Sequence, residues 1–204
     1  MPHASRPEFR RALPAHVTVR LRPDLPSLRD TRIVAEVEKT FAAGCARADF
    51  RLVHYSLQGN HAHLIVESRD QEALGRGMMA IGSRLARAVN RVAGRNGSVL
   101  ADRYHHRLLS TPREVRHALR YVLLNARRHS AVKARSAVRA MEALLDPASS
   151  ARWFDGWKLQ KAMAESAREP AAGRERAPVA RARTWLLTVG WRRHGLLEPA
   201  EVPG

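Results

Sequence analysis

Alternating apolar and polar residues predict three β-strands in the first third of the chain. The first covers residues 15–22, and two more, 50–57 and 60–67, are separated only by Gln58 and Gly59. A period of two places every second side chain on the same face of a strand. The short connection between the second and third strands predicts an antiparallel hairpin.

Two other segments repeat their apolar residues every three or four positions, which is the period of an amphipathic α-helix. They cover residues 29–46 and 71–95. After a fourth predicted strand at 104–110, the sequence Thr-Pro-Arg-Glu beginning at Thr111 predicts the start of a third helix. Threonine can cap this start, proline favours the first helical position, and the glutamate can complete a capping box.

The predicted order of elements is strand, helix, strand, strand, helix, strand, followed by the third helix. This is the order of a ferredoxin-like α+β sandwich, so we expect an antiparallel sheet with its helices on one face and the other face open to a ligand. The domain would comprise residues 1–130. A helical extension is expected at 131–168, and a linker with a C-terminal helical tail at 169–204.

Charge and cysteine content narrow the function classes. The chain has 36 Lys and Arg residues against 19 Asp and Glu residues, a net charge of +17, which favours a polyanionic partner and nucleic acid first. The single cysteine, Cys45, excludes an intramolecular disulfide and a multi-cysteine zinc site. Without a signal-like apolar N-terminus or an apolar run of about 18 residues, we expect a cytoplasmic protein that does not use a membrane.

A His-x-His motif lies in the third predicted strand. Alternation places His61 and His63 on one face and the apolar Ala62 and Leu64 on the other. Two such imidazoles stand about 6.6 Å apart along a strand, close enough to coordinate the same divalent metal ion. Two ordinary strand histidines would give the same pattern, so the motif alone leaves both interpretations open.

Tyr121 and Asn125 lie four residues apart on the third predicted helix, which makes them neighbours at a distance of roughly 6 Å. A helical wheel places both outside the apolar stripe. A structural tyrosine with its hydroxyl in solvent is the simple alternative for this pattern alone. Arg113, Arg116 and Arg120 occupy the other flank of the helix and form a candidate phosphate-contacting surface.

Together, the NHAHL sequence at 60–64 and the YVLLN sequence at 121–125 resemble the HUH single-tyrosine transposases of bacterial insertion sequences, particularly the REP-associated tyrosine transposases. Motifs and element order agree from about residue 12 to residue 130. The sequence LADRYHHR at 100–107 also resembles the strand that lies between the two motifs in that family. Ala62 is a mild departure, because the family usually has a bulkier residue there.

The resemblance implies that His61, His63 and Asn125 hold a Mg²⁺ or Mn²⁺ ion and that Tyr121 is the nucleophile. The metal would draw charge from the scissile phosphate while the phenolate attacks in line, leaving a 5′-phosphotyrosine bond and a free 3′-hydroxyl. The implied partner is single-stranded or hairpin DNA, and the sequence leaves open whether the protein acts as a homodimer. The candidate DNA-binding residues are Arg103, Arg107, Arg113, Arg116 and Arg120.

Three other functions compete with this one. A domesticated DNA-binding protein would keep the fold without transposing, although the retention of Tyr121, His61 and His63 argues against simple decay. An RNA-binding ferredoxin-like module would be expected to carry paired aromatics on its central strands, but aromatic residues make up only 5% of the chain. A hydrolytic metalloenzyme is disfavoured because the sequence has no HExxH motif and no dense acidic cluster.

Overall fold

The computed structural model describes residues 9–125, 145–158 and 176–201. The strands are β1 (Leu13–Arg20), β2 (Phe50–Leu57), β3 (His61–Ser68) and β4 (His105–Leu108). The helices are α1 (Thr31–Ala42), α2 (Gln71–Val92), α3 (Pro112–Leu124) and the short α4 (Trp185–Thr188), with 3-10 turns at Ser150–Trp153 and Gly190–His194. No helix among these residues is both long enough and apolar enough to cross a bilayer.

All four strands pair antiparallel in the order β2-β3-β1-β4. This confirms the predicted α+β fold with an antiparallel sheet, in the arrangement expected of a ferredoxin-like sandwich. The two central strands pair so that Thr18 of β1 lies opposite His63 of β3. Because side chains alternate along each strand, His16, Thr18, His61 and His63 share one face of the sheet.

The two faces of the sheet are covered by different helices. Helices α1 and α2 pack on the face that carries Val17 and Leu64, where the larger buried core lies. Helix α3 packs on the opposite face, where Val115 and Leu119 join Ile65 in a second core. The expectation of helices on one face is therefore correct for α1 and α2 and wrong for α3. The face of β3 that carries His61 and His63 also carries the apolar Ile65, and α3 buries Ile65 by packing on this face.

Described segments of the C-terminal third also pack on this domain. The buried carboxylate of Asp146 accepts two hydrogen bonds of 2.8 Å from the guanidinium of Arg29. Phe154 and Trp191 belong to the same core as α3. Most of the predicted helical extension and linker, residues 131–144 and 159–175, lies outside the described residues. The predicted C-terminal helical tail is described at residues 176–201. The helical elements in this range are α4 and the 3-10 turn that follows it.

Arg116 joins α3 to the C-terminal segment. Its Nε donates a hydrogen bond of 2.9 Å to the carbonyl of Gly195, and its Nη2 donates to the carbonyl of Leu196 at 3.2 Å and to Glu201 at 2.9 Å. Gly195 has a φ of +86°, a conformation that side-chain-bearing residues rarely adopt, and this turn directs the two carbonyls to the guanidinium. Arg116 thus has a structural role, and its guanidinium is occupied by the C-terminal segment instead of being free for DNA.

We expect Arg116→Ala to lower the free energy of unfolding by about 2 kcal/mol, because three charge-assisted hydrogen bonds are lost and Glu201 is left without its cation. Urea denaturation would measure the loss. Arg113→Ala, one helical turn earlier at an exposed position, is the matched control and should change stability by less than about 0.5 kcal/mol. Equal effects of the two substitutions would contradict the structural role of Arg116.

Candidate active site

His63 lies at the centre of a cluster of rings between the sheet and α3. Its side chain is largely buried, with 6% of the residue exposed. Its Nδ1 lies 3.2 Å from Nε2 of His16 and 3.3 Å from the hydroxyl of Thr18, both on β1. Its Nε2 lies 3.3 Å from the hydroxyl of Tyr121 on α3. Both ring nitrogens of His63 are therefore engaged by neighbouring elements.

His61 stands beside His63 on the same face of β3. The two ring centres are 4.8 Å apart and the rings are edge-on to one another. Nδ1 of His61 lies 3.0 Å from the amide oxygen of Asn60. Because an amide oxygen only accepts, this contact assigns the hydrogen to Nδ1 and leaves a lone pair on Nε2 of His61.

Burial keeps the histidines of this cluster neutral. Desolvation, helped by His16 and His61, lowers the pKa of His63 to about 3. Desolvation and the nearby Arg107 lower the pKa of His16 to about 4. The pKa of His61 is also lowered, by desolvation and by Arg20. Since metal ions bind neutral imidazole, His61 and His63 are in the ligand form at neutral pH.

The local sequence of α3 explains how Tyr121 reaches this cluster. The predicted capping box is present, because the side chain of Thr111 accepts from the backbone of Glu114 and the glutamate side chain accepts from the backbone of Thr111. With the helix start fixed in this way, Tyr121 falls at the edge of the apolar stripe that packs on the sheet. Its ring centre lies 4.9 Å from that of His63 and 5.6 Å from that of His16.

Asn125 forms the C-cap of α3 and is buried. It lies one helical turn beyond Tyr121, as the spacing predicts. In the described part of the chain, the hydrogen-bonding partners of His61 and His63 are Asn60, His16, Thr18 and Tyr121, and Asn125 is not among them. The structure thus brings Tyr121 together with the histidines and places the amide one turn away.

The donor set suits part of a metal site. The described residues contain no group of three or more His, Cys, Asp or Glu side chains that could hold an ion. Two neutral imidazoles, from His61 and His63, fit two ligand positions of a divalent ion, and the amide oxygen of Asn125 belongs to a donor class that Mg²⁺ and Mn²⁺ accept. Waters or phosphate oxygens would complete such a site.

Two of the candidate DNA-binding arginines do not lie at the cluster. Arg103 precedes β4 and lines a cavity with residues of α2, on the side of the sheet opposite to the histidines. Arg116 is held by the C-terminal segment.

The other three arginines lie on β4 and α3, the elements next to the ring cluster. Arg107 lies opposite His16 in the pairing of β1 with β4, and its guanidinium donates to Glu114 at 2.7 Å. Arg113 is exposed on α3, and Arg120 is partly exposed next to Tyr121. Of the three, Arg107 acts directly on the cluster, because its charge contributes to the lowered pKa of His16.

Sequence reasoning missed His16, although a signal for it was present. The first predicted strand alternates, with Ala15, Val17 and Val19 facing the core and residues 16, 18 and 20 on the other face. In the expected sheet order this strand lies next to the strand of the His-x-His motif. Its polar positions therefore had to face the same ligand surface as His61 and His63.

Comparisons with known proteins agree with the fold. No family model matches the sequence, and no curated protein sequence matches it. The structure is similar to that of a REP-associated tyrosine transposase bound to a REP hairpin, with a TM-score of 0.52 and 16% sequence identity. The match covers 74% of this chain and 82% of that one. The chain therefore has the α+β fold, with helices packed on a four-stranded antiparallel sheet, of a REP-associated tyrosine transposase.

Proposed function

We propose that this protein is a metal-dependent endonuclease and strand transferase that acts on single-stranded DNA at hairpin-associated sites, with Tyr121 as its nucleophile. The observation that carries the proposal is the contact between the Tyr121 hydroxyl and Nε2 of His63, on the sheet face that also bears His61. The similarity of the fold to a transposase that binds a DNA hairpin supports it. So does the net charge of +17, which suits a polyanionic substrate.

In this mechanism, the oxygen of Tyr121 attacks the phosphorus of the scissile phosphodiester. The hydroxyl of Tyr121 gives up its proton as its oxygen bonds to the 5′-phosphate. The bond to the 3′-oxygen of the preceding nucleotide breaks, and that oxygen takes up a proton, so the step is balanced. The phosphodiester energy is kept in the tyrosine linkage, so a second 3′-hydroxyl can reverse the step on another strand. His61, His63 and Asn125 would hold the Mg²⁺ or Mn²⁺ ion, which supplies Lewis acidity at the scissile phosphate.

His16 and Thr18 would position His63. Their contacts at Nδ1 fix the orientation of the ring, so that Nε2 points towards Tyr121. One lone pair on Nε2 cannot serve a hydroxyl and a metal ion at once. If this nitrogen held the metal ion, the hydroxyl of Tyr121 would lose this partner, and its oxygen would be available to the substrate.

The direct test is a cleavage assay on a hairpin-bearing single strand in Mg²⁺ or Mn²⁺, with detection of DNA that stays attached to the protein after denaturation. An attached strand would support the proposal. Release of only free ends would leave a water-using nuclease, and the absence of any cleavage would leave a hairpin-binding protein.

Binding to single-stranded DNA should also weaken steeply with salt. Arg107 is already paired with Glu114, so if Arg113 and Arg120 each neutralise one phosphate, log K should fall against log salt with a slope of about −1.4, at about −0.7 per phosphate. Fluorescence anisotropy with a labelled oligonucleotide would measure the slope. Arg113→Ala, at an exposed site, should make it less negative by about 0.7. A salt-independent affinity, or equal binding to a featureless duplex, would count against this surface.

A further inference from the structure

Trp185 of α4 is a tryptophan that is held in place and still half exposed. It is 48% exposed, and the guanidinium carbon of Arg193 lies 5.0 Å from its ring centre. Gly190 packs against the same ring, since a Cβ at this position would come within 2.7 Å of it. The indole is therefore oriented by its neighbours while much of its surface stays open to a ligand.

Several basic residues lie within nine positions of Trp185 in the sequence, and one of them, Arg193, is in contact with its ring. Arg181, Arg183, Arg193 and His194 are all exposed. Glu67 of β3 touches this segment, but it is buried and accepts hydrogen bonds from the backbone just before α4. The surface around the indole thus offers positive charge and an aromatic ring, a combination that binds single-stranded nucleic acid by stacking bases and contacting phosphates.

This surface continues onto the helix that carries Tyr121. The segment after α4 packs on α3, where Trp191 joins the core of that helix. On α3, Arg113 and His117 are exposed and are spaced four residues apart in a row that ends at Tyr121. The 3-10 turn Gly190–His194, which carries Arg193 and His194, packs against α3, so the two segments are adjacent.

We propose that Trp185 and Arg193 form a platform on which an unpaired base of the DNA stacks, while Arg183 and His194 contact the adjoining phosphates. The platform rests on the proposed function and adds to it a binding site outside the ring cluster. Stacking on an indole is tolerant of sequence, because every base has a π-face, and the guanidinium adds a cation–π contribution. The occupant would be a single-stranded segment that flanks the hairpin.

Trp153 provides a matched control. It is also exposed and also lies under an arginine, with the guanidinium carbon of Arg152 at 5.2 Å from its ring centre. Arg152, however, is paired with Glu38 of α1 at 2.6 Å, which removes the free positive charge that a phosphate would need. We therefore expect no base to stack on Trp153.

The experiment compares a fluorescein-labelled DNA hairpin that carries a single-stranded oligothymidine extension with the same hairpin without the extension. Binding is measured by anisotropy without divalent metal, so that no strand is cleaved. Trp185→Ala should weaken binding of the extended hairpin by about 10-fold or more, as expected for the loss of one stacked base, and should leave the blunt hairpin within about twofold. Trp153→Ala should change neither. A wild-type affinity of Trp185→Ala for the extended hairpin would overturn the platform.

Tryptophan fluorescence gives a second measurement that does not depend on the alanine variant folding. Stacking of a base on Trp185 should quench part of the emission of the wild-type protein, and Trp185→Phe, which keeps a ring against Gly190, should lose that part. Undiminished quenching in Trp185→Phe would overturn the proposal. Covalent adduct formation by the wild type, measured separately with metal, tests the proposed function, so a failure of the platform and a failure of the nuclease are distinguishable.

Discussion

Tyr121→Phe should bind a hairpin-bearing single strand with near wild-type affinity and should carry none of it through denaturation. The proposed nucleophile stays attached to the 5′-phosphate that it creates, so a 3′-labelled strand incubated with wild-type protein and Mg²⁺ or Mn²⁺ should migrate with the protein on a denaturing gel. Removing the hydroxyl should reduce adduct formation at least about 1,000-fold. The phenylalanine keeps the ring that packs against His63 and His16, so the loss would report chemistry and not misfolding.

The other two tyrosines are the controls. Tyr55 is buried on the opposite side of the sheet, where its hydroxyl donates to Glu38 at 2.7 Å, and burial together with this carboxylate raises its pKa. Tyr104 lines the cavity next to α2, on the side of the sheet opposite to His61 and His63. Tyr55→Phe and Tyr104→Phe should therefore still form the adduct. If Tyr121→Phe also forms it, the protein is not a transferase of the proposed kind and is better described as a basic DNA-binding protein.

The sequence was sufficient for those parts of the fold that depend on local patterns. Strand β2 has the predicted bounds, and β3 differs from its prediction by one residue at each end, because alternation over eight residues defines a strand strongly. The start of α3 was also predictable from a local pattern, because the capping box between Thr111 and Glu114 lies within one turn of the chain. Helix α2 stops before Gly94, whose φ of +61° does not continue a helix, and so is shorter than predicted.

Features that depend on contacts distant in sequence were not predictable in the same way. The apolar stripe of α3 does not specify which face of the sheet it covers, and Ile65 becomes part of its core only through the pairing of the strands. Arg116 was assigned to DNA from its place on the helix, but its partners, Gly195 to Glu201, are about eighty residues away. His16 lies 47 residues from His63 and meets it only across the sheet.

His61→Ala should abolish most cleavage while leaving the fold intact. His61 is partly exposed and its only hydrogen bond in the described residues is to the adjacent Asn60, so its removal should change the free energy of unfolding by less than about 0.5 kcal/mol. If it is a metal ligand, the cleavage rate should fall by about 100-fold or more at low metal concentration. A titration of the rate with Mn²⁺ would separate weak metal binding, which high Mn²⁺ partly restores, from a loss of the chemical step.

His63→Ala should lose as much activity and should also lower stability, because His63 is buried and its loss leaves His16, Thr18 and Tyr121 without a partner. The comparison is informative because the two histidines share a proposed role and differ in burial. Equal loss of cleavage with unequal loss of stability would support a common metal, whereas loss of cleavage in His63→Ala alone would indicate that His63 acts on Tyr121 and that His61 is not a ligand.

Asn125→Ala should be milder than either histidine variant, since a water can replace a single amide oxygen on a divalent ion that keeps both imidazoles. A wild-type cleavage rate in His61→Ala would therefore refute the two-histidine metal site while leaving Tyr121 as the nucleophile to be tested by its own adduct.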